Sequence, residues 1–409
     1  MTVNRFKHLL RVLRFDDRET REERKKVDKF AAIRELFEEF NKLLRVYFSP
    51  SECVTVDETL RSFRGRCGFI CYMPNKPCKY GILIRDVADA NSRYMLGMLP
   101  YTGKADQPDP TFHITGAANI VKHLVEPYAN SGRNVTVDRL YTSVELAEEL
   151  LQKNLTYVGT IMTNRCHLPE EAKSVVGRQE HSSQFYWSDG VMVMSYAKNK
   201  KKNVLLLSTQ HCEPLITADQ KKKPEVMIYY NQTKGGIDSI DQMLETYTCR
   251  MSTRRWPVVV FLLMLDVAAL NGWVILSQGP SAKFGDQKHG GRRAFLRELG
   301  LSLIKPHMQL RPPEGMVAAT KMAVETVLKT KLRQPDVTPR EVPDTVRARC
   351  HVCVAEQHGA GYKKARHRSV NKVKQRCSRC KRAVCQKHGK SAGIMCVPCS
   401  AAPAGTGLE

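Results

Sequence analysis

Near the start of the chain, apolar residues recur at helical spacing. Phe6, Leu9, Leu10 and Leu13 fall at i, i+3, i+4 and i+7, and Ile33, Leu36, Phe37, Phe40, Leu43 and Leu44 repeat the stripe after the charged stretch 16–26. Two amphipathic helices are therefore expected within 1–51. They open the chain abruptly, which reads as the surviving end of a larger helical region. From residue 52 the period drops to two: ECVTVDETL, YGILIRDVADA and RYMLGMLPYTG alternate apolar with polar positions and are separated by Asn, Pro and Gly. That pattern predicts three strands of one meander.

A helix over about 117–128 comes next, then the strand NVTVD. A second helix follows, with Thr142 and Glu145 as a capping box and Val144, Leu146, Ala147, Leu150 and Leu151 as its stripe. LTYVGTIM is another strand. Between 163 and 224 the pattern is one of short strands, FYWS, VMVMSYA and NVLLLST, split by the basic run 198–202, and reads as a β-rich insertion. EVMIYYN is expected to return to strand, and Gly235-Gly236 to introduce a helix from about Ile237. The order of elements is that of an α/β chain, with a core in two parts, 52–162 and 225–248, around the insertion.

The apolar run 256–276 is long enough for a membrane span but contains Pro257, Asp266, Asn271 and Gly272. A carboxylate near mid-bilayer costs about 2.5–3.5 kcal/mol, so a buried helix within a helical region 249–334, and no membrane, is expected. Pro335, Pro339 and Pro343 mark a linker over 335–349, ahead of a cysteine-rich block 350–400 and a tail 401–409 of Ala, Pro and Gly expected to be disordered.

Composition narrows the partner. Sixty-five Lys and Arg against 41 Asp and Glu leave +24, a surplus suited to a polyanionic partner such as nucleic acid or a membrane surface. Of that charge, +11 lies in 350–400, where twelve basic residues face one acid, Glu356. The fourteen cysteines do not read as disulfides, because MTVNRFKHLLRVLRF has no uninterrupted apolar signal region; reduced thiols inside a cell are expected.

Half of those cysteines form paired donors with His388: Cys350-x2-Cys353, Cys377-x2-Cys380, Cys385-x2-His388 and Cys396-x2-Cys399. Two residues between donors let a tight turn aim both at one ion, the pattern of tetrahedral zinc. Eight donors imply two zinc ions. The short gap from Cys380 to Cys385 favours a cross-brace, with Cys350, Cys353, Cys385 and His388 on one ion and Cys377, Cys380, Cys396 and Cys399 on the other. His351, His358 and His367 fall outside the pairs and read as basic surface residues; Cys53, Cys67, Cys71 and Cys78 read as core thiols. Lys363, Lys364, Arg366 and Arg368 lie between the pairs, a load suited to DNA phosphates or to nuclear import.

The second constellation is acidic. Val-Thr-Val-Asp occurs twice, ending at Asp57 and Asp138, and in neighbouring strands the two carboxylates would meet. Asp238 and Asp241 follow three residues apart on one helix face. Three convergent acids can hold two divalent metals that activate an attacking oxygen and stabilise a leaving one, and hard oxygen donors select magnesium or manganese.

At these residues the chain resembles the piggyBac transposases and the proteins derived from them: VDETLRSFRGRCGFICYMPNKPCKYGI, VTVDRLYTS, YYNQTKGGIDSIDQM and RRWP, in this order before the cysteine-rich block, carry the similarity from about Phe6 to Cys399. The resemblance implies an RNase H-like catalytic core with a β-rich insertion, flanking helices that dimerise and grip DNA, and a zinc-binding C-terminal cross-brace that reads transposon ends. It assigns two Mg2+ or Mn2+ ions to Asp57, Asp138 and Asp238, with Asp241 as a supporting acid. It further implies cut-and-paste transposition at TTAA targets in the nucleus by a homodimer. Arg139 stands where many relatives carry asparagine. Arg254, Arg255 and Trp256 could grip phosphates and stack on a base, with core packing the competing role for Trp256. A domesticated or truncated DNA-binding protein without catalysis is the alternative.

Overall fold

The computed structural model describes residues 2–103, 109, 111–279, 291–310, 316–330, 346–359, 372–390, 394–397 and 400. The expected linker up to residue 345 and the tail 401–409 lie outside them. The chain divides into two compact units, Met1–Leu299 and Gly300–Glu409.

The first unit opens with α1 (Val3–Val12), α2 (Arg21–Val27) and α3 (Arg34–Val46). Thr2 caps α1 by accepting from the Arg5 N–H. On α3 the buried face is Arg34, Phe37, Asn41 and Leu44; Leu36 and Leu43, expected in the stripe, lie largely exposed. The strands are β1 (Cys53–Ser62), β2 (Ile70–Tyr72), β3 (Tyr80–Asp89) and β4 (Met95–Pro100), then α4 (Ala117–Val125), β5 (Asn134–Val137), α5 (Val144–Gln152) and β6 (Thr156–Thr160). Short α6 (Glu170–Lys173) precedes β7 (Ser183–Ser188), β8 (Val191–Asn199) and β9 (Lys202–Ser208), and α7 (Glu225–Thr233), α8 (Gly236–Thr246) and α9 (Trp256–Gln278) follow.

Nine strands form one mixed sheet in the order β2-β3-β1-β5-β6-β9-β8-β7, with β4 also paired to β3. The predicted meander is present as the antiparallel pairs β1–β3 and β3–β4. β1, β5 and β6 run parallel, and a helix lies in each connection between them, α4 before β5 and α5 before β6. The insertion strands do not make a separate layer: β9 pairs antiparallel with β6, so β7 to β9 extend the main sheet.

Two expectations need correcting. EVMIYYN is helical, not extended. Pro224 occupies the N-cap of α7, and Val226, Met227, Tyr230 and Thr233 are its buried face, at i, i+1, i+4 and i+7. The cap of α5 is Ser143, which accepts from the Leu146 N–H at 3.2 Å; Thr142 is occupied donating to the Asp138 carbonyl at 3.1 Å.

The apolar helix α9 behaves as a core helix. Val260, Leu263, Val267, Leu270 and Val274 join the same cluster as β1, β3 and β4. Asn271, 3% exposed, accepts from the Met95 N–H and donates to the Met95 carbonyl, both at 2.9 Å. This pair of bonds locks α9 to the first residue of β4.

Replacing Asn271 with Leu leaves two buried backbone groups unpaired, each costing about 1–3 kcal/mol. Urea unfolding should therefore show a loss of about 2–6 kcal/mol at unchanged slope, whereas Leu265→Ala on the exposed face of α9 should stay within about 0.5 kcal/mol.

Candidate active site and cysteine cluster

The acidic site is built by strand register. Val54 lies opposite Val135, Thr55 opposite Thr136 and Val56 opposite Val137 across the parallel pair. The next residue in each case is an aspartate, so Asp57, midway along β1, and Asp138, just past the end of β5, come side by side. Asp138 is exposed where β5 ends, Asp57 is half-buried, and Arg139 is exposed in the turn beyond.

Helix α8 supplies the third acid. A Cβ on Gly236 would stand 2.4 Å from Thr55 Cγ2 and 3.4 Å from Ala90 Cα, so only glycine lets the helix begin flush against β1 and β3. Ile237, Ile240 and Leu244 bury the adjoining face. Asp238 then lies in the first turn, exposed and close enough to act on Asp57. Burial, the Glu58 carboxylate and that of Asp238 push the Asp57 carboxyl up to about 7, against the Glu58 N–H and Lys76.

Asp138 accepts from the Thr160 hydroxyl at 3.2 Å. Thr160 is in turn paired with Tyr230 at 3.2 Å, whose phenol is pushed up to about 12 by burial and by the carboxylates of Asp138 and Asp57. Acids from β1, β5 and α8 thus gather where β5 ends alongside the middle of β1. Among the described residues, groups of three or more His, Cys, Asp or Glu donors with their ligand atoms all within 4.8 Å of one another occur only in the cysteine-rich block. The acidic set is oxygen-only and partly open to solvent, which fits hard divalent cations.

Asp241 is engaged by a cation: its Oδ1 is 2.7 Å from Arg61 Nη1. Asp86 was not singled out by sequence. It lies directly opposite Asp57 on β3, 1% exposed, and its Oδ2 accepts from Thr59 at 2.7 Å while Oδ1 has no partner. Burial pushes its carboxyl up to about 7 despite Arg61. The signal was available, since Ile82, Ile84 and Asp86 alternate on one strand face and an acid continues a core stripe.

Around the N-terminal helices the expected DNA contacts divide. Trp256 packs between Phe30 and Phe69, with ring centroids 5.2 and 5.0 Å away, so its place is an aromatic cluster rather than a free stacking platform. Arg255 donates to the carbonyls of Leu10, Arg11 and Leu13 at the end of α1. Arg254 is exposed and, with Arg14, Arg18, Lys25 and Arg66, lines a cavity of about 470 Å³.

The second unit contains α11 (Ala318–Leu328), β10 (Ala348–Arg349), α12 (His351–Gly359), β11 (Lys372–Val373), β12 (Gly389–Lys390) and β13 (Met395–Cys396); α10 (Gly291–Leu310) crosses the division between units. Cys350, Cys353, Cys385 and His388 close into one group. His388 Nδ1 is 3.2 Å from Cys353 Sγ, 3.5 Å from Cys385 Sγ and 3.7 Å from Cys350 Sγ. Such edges suit a tetrahedron about one ion with bonds of about 2.0–2.3 Å. The other ring nitrogen is 3.3 Å from Glu356, the carboxylate that orients a ligand histidine. Burial raises the Cys350 thiol, but the N–H groups of Cys353 and Cys385 and the His388 ring prevail and bring it down to about 6, towards the thiolate that zinc takes.

Of the second donor set, Cys380 and Cys396 are 3.7 Å apart and the Cys396 N–H donates to Cys377 at 3.2 Å. His351, expected on the surface, is half-buried and lies within 4.8 Å of Cys380 and Cys396. Cys399, Lys363, Lys364, Arg366 and Arg368 lie outside the described residues.

Two aspartates on neighbouring parallel strands and a third on the helix packed against β1 make up the acidic site, and a cysteine cluster follows later in the chain. A family model described as Transposase IS4 matches residues 1–273, and the chain belongs to this piggyBac-type transposase family. It is similar to a piggyBac transposase solved by cryo-EM in a synaptic complex with hairpin DNA, at 32% identity and a TM-score of 0.74, over 97% of this chain and 80% of that one. Among curated human proteins it is 21% identical to PiggyBac transposable element-derived protein 3 and 23% identical to PiggyBac transposable element-derived protein 2, over 60% of this chain in both cases. It spans 44% of the length of each.

The pH response of Asp86 follows from its burial. Its folded carboxyl sits at about 7 against an ordinary 3.8, so the stability it contributes is present below about pH 4 and is lost as pH rises to about 7. In Asp86→Asn that loss should vanish: between about pH 5 and 7.5 the wild-type melting temperature should fall relative to the variant's. Melting temperatures that stay parallel would show that Asp86 is already ionised at the acid end.

Proposed function

We propose that this chain is a piggyBac-like DNA transposase that moves DNA by cut and paste at TTAA targets, through two-metal phosphodiester cleavage and strand transfer. The observation that carries this reading is the register that sets Asp57 beside Asp138, with α8 bringing Asp238 against Asp57. Asp57, Asp138 and Asp238 would hold two Mg2+ or Mn2+ ions. Bound there, such a pair lowers the pKa of an attacking water or hydroxyl and offsets charge on the leaving oxygen.

The chain's own groups do the rest. Thr160 fixes the Asp138 carboxylate through its hydroxyl, and the exposed position of Asp138 and Asp238 leaves room for a duplex to approach. The substrate is double-stranded DNA, transposon ends and TTAA target. The +24 surplus and the Arg254 groove supply sequence-independent affinity, and the solved relative is a complex with hairpin DNA. The cysteine-rich unit would hold two zinc ions, one on Cys350, Cys353, Cys385 and His388 and one on Cys377, Cys380, Cys396 and Cys399, and would read the ends. A homodimer acting in the nucleus completes the reading.

Asp57→Asn, Asp138→Asn and Asp238→Asn should each lower strand nicking and hairpin formation on a transposon-end duplex in magnesium by orders of magnitude. End binding by the same proteins should hardly change. A wild-type chain that binds ends and never nicks them would favour the domesticated, noncatalytic alternative, and loss of folding in the variants would make the acids structural.

The full chain should carry two zinc equivalents, and chelation should unfold the cysteine-rich block, whose buried apolar cluster among the described residues is Cys350, Cys377, Val384 and Cys396. End binding should fall with it and should weaken steeply with salt. Zinc content of one or none, measured by elemental analysis, would remove the cross-brace.

A further inference from the structure

Two contacts pin α8 to β1, on either side of Asp57. Two residues before Asp57, Thr55 receives Gly236 in the close approach that only glycine permits. Four residues after it, the Arg61 guanidinium reaches Asp241, three residues beyond Asp238 on the helix. Thr55, Asp57, Thr59 and Arg61 alternate onto one face of β1, so the helix is held at both ends of the stretch that carries the acid.

Arg61 is a costly residue to place here. Its side chain is 14% exposed and its Nε has no hydrogen-bond partner. On the strand beside it, buried Asp86 is the other acid that responds to its charge, itself held by Thr59 at 2.7 Å. An apolar side chain would fill such a site at least as stably, because burying a charge costs more than a single ion pair returns. What the pair does supply is a fixed geometry between two elements, a planar fork on the strand and a carboxylate on the helix.

We propose that Arg61 is a positioning residue for the acidic site: through Asp241 it fixes the rotation and height of α8 on β1 and so sets Asp238 against Asp57. The inference rests on reading Asp57, Asp138 and Asp238 as the metal-binding triad. It gives Asp241 a different task from theirs, since its carboxylate engages a guanidinium.

Manganese binding to the full chain, read from the free Mn2+ signal in electron paramagnetic resonance, separates clamp from charge because the two predict opposite signs. Removing a cation near three carboxylates tightens Mn2+ binding; removing a clamp weakens it. Arg61→Met should weaken it about 10-fold, Asp241→Asn should do the same, and the double variant should be no worse than either. Amide exchange in 236–246 should quicken while that of β1 holds. Arg61→Lys, which keeps the charge without the fork, should fall between, and with Asp241→Asn carries the comparison if Arg61→Met does not fold.

Unchanged or tighter Mn2+ binding with unchanged α8 exchange overturns the proposal, as does an additive loss in the double variant. Mn2+ binding that depends on Asp57 and ignores Arg61 overturns the positioning role alone. Equal binding by wild type and Asp57→Asn removes the triad and the clamp together.

Discussion

The parallel pairing of β1 with β5 is the constraint on which the rest of this molecule turns. Both strands are covered on both faces, with Val54, Val56, Val135 and Val137 in the main core and Thr55 and Thr136 under α7 and α8. A slip of one residue would send a valine face into the threonine face and an aspartate into the core, so the register is firmly specified. Because the two strands carry the same four-residue pattern, fixing the register also fixes the two carboxylates at one level.

Everything placed next to that pair has an electrostatic cost. Asp57 and Asp86 face each other across β1 and β3, and burial holds both carboxyls well above the usual range. Folding tolerates this where the acids reach partners, as Asp138 reaches Thr160 and Asp241 reaches Arg61. A divalent cation is the natural complement of what remains, and family membership gives the same expectation from a separate direction.

The C-terminal unit obeys a different physics. Among its described residues the apolar core is small and sulfur and imidazole donors gather instead, a set that an ion would cross-link in place of the burial that a larger domain uses. Glu356, the single acid of that basic block, sits on His388, where its charge has a defined use.

The sequence by itself determined the repeating elements and the donor chemistry. Period two in VTVDETL and YGILIRDVADA marked the meander, the paired cysteine spacing marked one closed donor set, and the repeated VTVD marked two acids that strand pairing could align. It could not decide EVMIYYN, because seven residues fit both periods until Pro224 and the packing of Met227 and Tyr230 select a helix. Nor could it place the α5 cap, since Thr142 and Ser143 are chemically alike and only the Asp138 carbonyl, held in place by the sheet, takes Thr142 away. Trp256 was compatible with base or core until Phe30 and Phe69 closed around it. Arg61 and His351 lie beyond local reading for the same reason: the importance of a buried charge or a third-party donor comes from residues distant in sequence, and only tertiary contact brings them within a few ångströms.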